Sequence, residues 1–434
     1  MSETAGPGHP LVVDPRSSLF LSLPAKVTEV HEAEEVGVTF PRGFVAAGVA
    51  AGIKESGRPD VGVVAVEHQY RTASVGAAVF TRNSFAAAPV VVSRKETALP
   101  RLAAVAMNSG NANACTGAEG LAVARAMQSA CATGLELPVE RVGVASTGII
   151  GVPLDQERLT AGVRGAVAEL SRTGGARFAA AIMTTDRFDK AVALEFDTPN
   201  GAVRVGACAK GAGMIAPGMA TMLCVVTTDA LVPPTVASSL LSREVGHTFN
   251  RVTVDGEMST NDSVFFLASG ASGVELVAEG VGRLGSALRY ALLRLALMMV
   301  ADGEGATKVM RLRVDGAPDD EDANLAARAV ANSTLVKTAM YGCDPNWGRI
   351  LSAAGAALPA RSFPSVTLHM GGVTLVERAT AVSLEPEEAA RLREVMHGSE
   401  VDIVLDLKSG VGSAEVYFAD LGHEYVTINA EYHT

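Results

Sequence analysis

Lys210-Gly-Ala-Gly-Met-Ile-Ala-Pro-Gly-Met-Ala220-Thr221-Met-Leu223 is the stretch on which the reading of this chain turns. Its first half, Gly211-Ala-Gly213-Met-Ile-Ala216, fits the dinucleotide pattern GxGxxG/A and follows a strand-like run, Val203–Cys208. A true fingerprint runs from its glycines into a helix. Here Pro217-Gly218 interrupts at once, and Thr221–Thr228 is rich in β-branched residues, which favour a strand. The stretch is expected to be a Gly-rich turn entering a core strand, with no nicotinamide or other cofactor on it. Thr221 raises a second possibility. Threonine inside a chain is a weak nucleophile, but as a first residue it is activated by its own α-amino group acting as base. That amine has an ordinary pKa near ~7.7–8.0, close to working pH. Thr221 therefore qualifies only if the Ala220–Thr221 bond is cut, and Gly211, Gly213 and Gly218 allow the strained backbone that self-cleavage needs. Composition alone favours the plain turn.

Outward from this stretch, short apolar runs alternate with turn residues, and Val61–Val66 and Ala88–Val92 read as strands. Thr116, with Glu119 three residues on, reads as a capping box ahead of helical spacing over Leu121–Cys131. Arg141–Ala145 reads as a strand feeding a small-residue turn, Ser146-Thr147-Gly148. Leu159–Leu170 and Gly282–Val300 read as helices, the second ended by Gly303 and Gly305. Pro318–Asp322 reads as an acidic turn before a helix near Ala323–Ala331. Further on, Val366–Met370 and Val373–Glu377 flank Gly371-Gly372, a primed hairpin turn. Pro386 opens a helix, and Val401–Leu407 alternates apolar and acidic residues as a strand does. This predicts a mixed α/β chain: a poorly ordered lead-in over 1–25, a large α/β domain over 26–310 and a smaller α+β domain over 311–434.

Composition narrows the class. The 434 residues, 48% hydrophobic and 19% charged, hold ample apolar content for a core, which excludes disorder as the main state. Lys and Arg number 36 against 47 Asp and Glu, a net charge of −11, so no nucleic-acid partner is expected. Five widely spaced cysteines and eight histidines make no CxxC, CxxH or HExxH pattern, so no metal site or disulfide framework is expected. Met1–Pro10 lacks the basic start and apolar run of a signal peptide. The longest uncharged run, Gly211–Thr228, is broken by glycines and a proline and makes a poor membrane helix. A cytoplasmic enzyme without membrane association is the expectation.

Many motifs in order then match one family. They run from Gly43-Phe-Val-Ala-Ala-Gly-Val-Ala-Ala-Gly-Ile-Lys54 through Asn108-Ser-Gly-Asn-Ala-Asn-Ala-Cys-Thr-Gly117, Ser146-Thr-Gly-Ile-Ile-Gly151 and Met183-Thr-Thr-Asp186. They continue with Asn250-Arg-Val-Thr-Val-Asp-Gly256, Ser259-Thr-Asn-Asp262, Asp302-Gly-Glu-Gly-Ala-Thr-Lys308 and Leu335-Val-Lys-Thr-Ala339. Asp344-Pro-Asn-Trp-Gly-Arg349, Asp420 and Ile428-Asn-Ala-Glu-Tyr-His-Thr434 complete the set. The chain resembles the bifunctional ornithine acetyltransferase / glutamate N-acetyltransferase family of arginine biosynthesis.

The resemblance implies a layered α-β-β-α fold of N-terminal-nucleophile type and autocatalytic cleavage between Ala220 and Thr221. The products would be an α chain, 1–220, and a β chain, 221–434, that stay together, as an αβ heterotetramer. It implies that Thr221 carries acetyl from N2-acetyl-L-ornithine to L-glutamate, with the Thr147 hydroxyl and the Gly148 N–H as oxyanion hole. Lys210, Glu304, Asn429, Thr434, Thr221 and one of Thr184 and Thr185 match substrate contacts. No cofactor is implied, and whether acetyl-CoA also donates stays open. Four positions depart from the family pattern: Gly218 where Asn is frequent, Arg187 and Met258 where Thr is, and Asp189 where Pro is usual. These leave the nucleophile and oxyanion residues intact but keep a different acyl donor or acceptor, or an unprocessed inactive homologue, as alternatives.

Overall fold

The computed structural model describes residues 18–31, 37–216, 222–359 and 361–431, so most of the expected lead-in lies outside the described residues. The fold is mixed α/β and clusters into two compact units. One takes in Ser22–Asn250 and Glu257–Met299; the other takes in Arg251–Gly256 and the described residues from Val300 onward.

The larger unit holds two sheets. Six strands run in the order Val27–Glu29, Lys190–Thr198, Gly201–Lys210, Leu223–Thr228, Ser263–Ala268 and Val75–Phe80. Only the Leu223–Thr228 and Ser263–Ala268 pair is parallel. Four further strands, Phe44–Val49, Val61–Val66, Ala104–Asn111 and Val142–Ile149, form the second sheet and end in a parallel pair. One apolar cluster joins Val64, Val105, Met107 and Ala145 of the four-stranded sheet to Cys208, Leu223, Val225 and Phe265 of the six-stranded one, with Phe178 from the helix Gly175–Ile182. Another joins Val61, Val63, Ala104 and Val144 to Val123, Met127, Leu159 and Val163 of the helices Gly117–Leu135 and Gln156–Ala168. With both faces covered, Val61–Val66, Leu223–Thr228 and Ser263–Ala268 are buried at every position, so these strands read as continuous apolar runs rather than alternating ones.

That burial explains one misreading. Ala88–Val92 is not a strand but the start of the helix Ala88–Glu96. A short apolar run carries no period, and Pro89 sits in the first helical turn, where its missing N–H costs nothing. The capping box at Thr116 is also not formed: Thr116 precedes the helix Gly117–Leu135, but its hydroxyl donates to Asn113 Oδ1 (2.8 Å) and caps no amide. The helix Ala278–Ala301 runs a turn beyond its expected start. It is long and apolar enough to cross a membrane, yet 83% of its most apolar stretch is buried inside the protein.

The smaller unit carries a seven-stranded sheet, in the order Val252–Thr253, Gly412–Ala419, Val309–Ala317, Glu400–Asp406, Thr367–Met370, Val373–Glu377 and Thr380–Ala381. Glu400–Asp406 buries every second residue, as its alternation predicts. Val401, Ile403 and Leu405 pack with Ala326, Val330, Val336 and Ile350 from the helices Asp320–Ala331, Thr334–Tyr341 and Trp347–Ala357. Gly371 and Gly372 take φ of 56° and 76°, the left-handed pair that a two-residue hairpin needs. The expected acidic turn is shorter than read. Asp319 caps the helix by accepting from the Asp322 amide (2.8 Å), and Asp320, Glu321 and Asp322 form its first turn, where the helix dipole favours negative charge.

Candidate active site

Strand register builds the site. In the antiparallel pair of Gly201–Lys210 with Leu223–Thr228, Lys210 stands opposite Leu223, two residues past Thr221 in the chain. Among the described residues the next element after Gly211–Ala216 is the strand Leu223–Thr228, not the helix that a dinucleotide fingerprint opens. Ala220, Thr221 and Gly218 lie outside the described residues, as does Thr434.

Ser146, Thr147 and Gly148 were expected as a turn. They are instead the closing residues of the strand Val142–Ile149, whose pairing with Ala104–Asn111 slips at Gly110 and Asn111. Gly148 sits at that slip with φ 129°. A Cβ there would fall 2.4 Å from the Gly110 carbonyl carbon and 2.5 Å from the Asn111 nitrogen, so only glycine fits this close approach.

Thr147 and Lys210 meet. Lys210 Nζ, 2% exposed, donates to Thr147 Oγ1 at 3.0 Å. A hydroxyl has one proton and two lone pairs, so accepting from lysine leaves its proton for another acceptor. Beside this pair the Asp186 carboxylate accepts from Lys190 Nζ (2.7 Å), the Gly211 amide (2.7 Å) and the Thr184 amide (3.0 Å). Burial would raise the Asp186 carboxyl, but Lys190, Lys210 and these bonds hold it below the usual carboxylate range. Thr184 and Thr185 are half-buried on the same loop, while Arg187 is exposed. Lys54 adds a further cation: its stem packs near Gly110, and burial, with Arg58 and Lys210, lowers its amine to about 8. The Asp60 carboxylate shapes its loop by accepting from the amides of Ala51, Ile53 and Lys54.

The Ser259–Asp262 segment braces the strand ends. Asn261 Nδ2 donates to the carbonyls of Ala112 (2.6 Å) and Ser146 (2.8 Å), pinning the strand that carries Thr147. Asp262 Oδ1 accepts from the Met222 amide (3.1 Å), and the Ser263 amide donates to the Met222 carbonyl (3.1 Å). In the smaller unit, Asn429 Nδ2 donates to Glu304 Oε2 at 2.8 Å. The loop carrying Glu304 is held by Asp420, which accepts from the amides of Thr307 (2.8 Å) and Lys308 (3.0 Å). Asp60, Asp186, Asn261, Asp262 and Asp420 were given no role from the sequence. The available signal was a short polar side chain beside a glycine-rich loop or at the head of an apolar strand.

The ArgJ family model matches residues 45–434. The chain belongs to the ArgJ family. It is 45% identical over 393 residues to the arginine biosynthesis bifunctional protein ArgJ of Nitratidesulfovibrio vulgaris, covering 90% of this chain and 98% of that one. It is 44% identical over 403 residues to the protein of the same name from Symbiobacterium thermophilum, covering 92% and 98%. Among solved structures, an ornithine acetyltransferase of Mycobacterium tuberculosis complexed with ornithine shares 41% identity, with a TM-score of 0.40 over 45% of this chain and all of that one. In this ArgJ chain the buried Lys210 that donates to Thr147 stands opposite Leu223 in the strand register.

The cysteines offer no competing nucleophile in this core. Burial pushes the Cys131 thiol up to about 12 and raises Cys208 and Cys224 as well, which keeps all three protonated.

Proposed function

We propose that this ArgJ protein transfers acetyl from N2-acetyl-L-ornithine to L-glutamate in arginine biosynthesis, through an acetyl ester on Thr221. The observation that carries this reading is the Lys210 Nζ–Thr147 Oγ1 hydrogen bond, set by strand register beside Met222 and Leu223. Cleavage after Ala220 gives an α chain, 1–220, and a β chain, 221–434, and frees the Thr221 amine to act as base. Thr221 Oγ attacks the acetyl carbonyl. The Thr147 hydroxyl and the Gly148 N–H receive the oxyanion, ornithine leaves, and the glutamate amine then attacks the ester. Lys210 suits the α-carboxylate of either amino acid, and Glu304, held by Asn429, suits an ammonium or amide N–H. Thr184, Thr185, Thr221 and Thr434 are the further substrate contacts of this reading.

The two apolar clusters, sheet on sheet and sheet on helices, support the layered α-β-β-α arrangement of an N-terminal-nucleophile fold. A catalytic domain over 26–310 with a smaller C-terminal domain over 311–434, an αβ heterotetramer and a cytoplasmic location complete the proposal. The test is a matrix of acyl donors and amine acceptors with purified protein. N-acetylornithine and glutamate should give the highest kcat/KM; a different best pair would move the same chemistry to another substrate.

A further inference from the structure

Lys54 closes the first of the family's motifs, yet the proposed reaction gives it no part. That reaction leaves one charge of the acceptor without a partner. Lys210 suits the α-carboxylate that both amino acids share, whereas glutamate brings a second carboxylate where ornithine brings an ammonium. A carboxylate that leaves water for a binding site needs a partner of its own.

The fold fixes where Lys54 stands. The Asp60 carboxylate accepts from the amides of Ala51 (2.6 Å), Ile53 (2.7 Å) and Lys54 (3.0 Å), and the Asp60 carbonyl accepts from the Ser109 amide (2.9 Å). The loop is thereby tied to the end of the Ala104–Asn111 strand. Gly110, the next residue, pairs with Gly148 of the strand that carries Thr147. A Cβ on Gly110 would come 3.0 Å from Lys54 Cγ and 3.3 Å from Ile53 Cγ2, at a φ of 93°, so glycine lets the lysine stem lie against this strand pair.

The ammonium itself is poorly matched. It is half-buried and donates to the Pro59 carbonyl (2.8 Å), a neutral acceptor. An ammonium carries three donors, and among the described residues this is its one hydrogen bond. Lys210 and Asp186 act on its charge, but Asp186 is already engaged by Lys190 and two amides. Burial, Arg58 and Lys210 push the Lys54 amine down to about 8 against the pull of Asp60 and Asp186, so an anion bound there would relieve an excess of positive charge.

We propose that Lys54 receives the side-chain carboxylate of the acceptor glutamate and so sets the preference for an acidic amino acid. The inference rests on the reading of this protein as an acetyltransferase to glutamate. No bond is made or broken at Lys54: its ammonium donates to the carboxylate by charge-assisted hydrogen bonds, while Lys210 keeps the α-carboxylate. The donor's side-chain ammonium gains nothing from this cation, so the contact belongs to the acceptor step.

Lys54→Met keeps an apolar stem against Gly110 and removes the charge. Its kcat/KM for glutamate should fall at least about tenfold more than its kcat/KM for glutamine, the usual scale of a lost hydrogen bond to a charged group. Lys54→Arg, which restores the charge, should hold the glutamate preference within about fivefold of wild type. A role confined to packing the loop would lower both acceptors together. Equal losses for glutamate and glutamine in Lys54→Met would therefore overturn the proposal, and so would an arginine variant that loses the preference as far as methionine does. The donor half-reaction, ornithine released from N-acetylornithine in a single turnover, tests the underlying reading on its own. If the wild-type protein releases none, the acetyltransferase reading falls; if it does, and Lys54→Met still prefers glutamate by the wild-type ratio, only the role of Lys54 falls.

Discussion

Replacing Thr147 by valine isolates what one hydroxyl contributes. Valine matches threonine in shape, so the closing residues of the Val142–Ile149 strand and the close approach at Gly148 should persist. Two things are lost. In the resting protein Lys210 Nζ loses an oxygen to which it donates at 3.0 Å, and at 2% exposure water is a poor replacement. A hydrogen bond to a charged group contributes about 1.5–3 kcal/mol, and the neighbouring Asp186 carboxylate should keep the loss near the lower end. In the transition state the oxyanion loses a donor, which typically lowers kcat by about 10²–10³, or roughly 2.7–4 kcal/mol. The first loss appears as a lower unfolding temperature and the second as a slower chemical step, so they are separable. Single-turnover formation of acetyl-enzyme from N-acetylornithine, with steady-state kcat and KM, reads the second directly. Thr147→Ser, which keeps the hydroxyl, should retain most of the rate. A raised KM with unchanged kcat would refute the oxyanion assignment, as would a serine variant as slow as the valine one.

Three further outcomes are expected. Intact mass of active protein should show the chains 1–220 and 221–434, and Thr221→Ala should block both cleavage and transfer; a full-length active enzyme would contradict the nucleophile assignment. Asp186→Asn removes the carboxylate that accepts from the fully buried Lys190 ammonium at 2.7 Å and should destabilise the fold by about 3–5 kcal/mol in chemical denaturation. The folded Asp186 carboxyl sits below its unfolded value, so its stabilisation is present above about pH 4 and fades as pH falls through the folded pKa; the acid-unfolding midpoint should rise in the variant. Arg187 is exposed, so Arg187→Ala should leave the glutamate-over-glutamine ratio of kcat/KM within about twofold, and a loss of about tenfold or more would bring it into the acceptor pocket.

Element types were legible where periodicity or turn chemistry was strong. The Gly371-Gly372 hairpin and the alternating Glu400–Asp406 strand follow directly from such signals. Val61–Val66 and Ala88–Val92 show the limit. Both are short apolar runs; one is a strand buried on both faces, the other a helix, and only the covering layers decide between them. The site divides in the same way. The resemblance names Thr147 and Lys210, but no local pattern says that residues 63 positions apart share a hydrogen bond. That contact follows from the order of strands in two sheets, as does the reach of Asn261 to Ser146 across 115 positions. The braces were harder to read than the residues they brace, because Asp and Asn at strand heads look like ordinary turn residues.

What the strand ends accomplish together is a physical argument for function. Lys190, Lys210, Asp186 and Asp262 are all buried within one region of the larger unit. Taking such groups out of water costs several kcal/mol each before pairing, and apolar residues of similar volume would often give an equally stable core or a better one. The pairing is also uneven. Asp186 is fully engaged by Lys190 and two amides, whereas Asp262 keeps an oxygen without a partner among the described residues. A purely structural ion-pair network would favour satisfying every member. The two carboxyls are instead pushed in opposite directions, Asp186 below the usual carboxylate range by Lys190 and Lys210 and Asp262 above it by burial, and such divided environments are what acid–base chemistry uses. Asp186 then holds the Lys190 ammonium at 2.7 Å, both side chains fully buried.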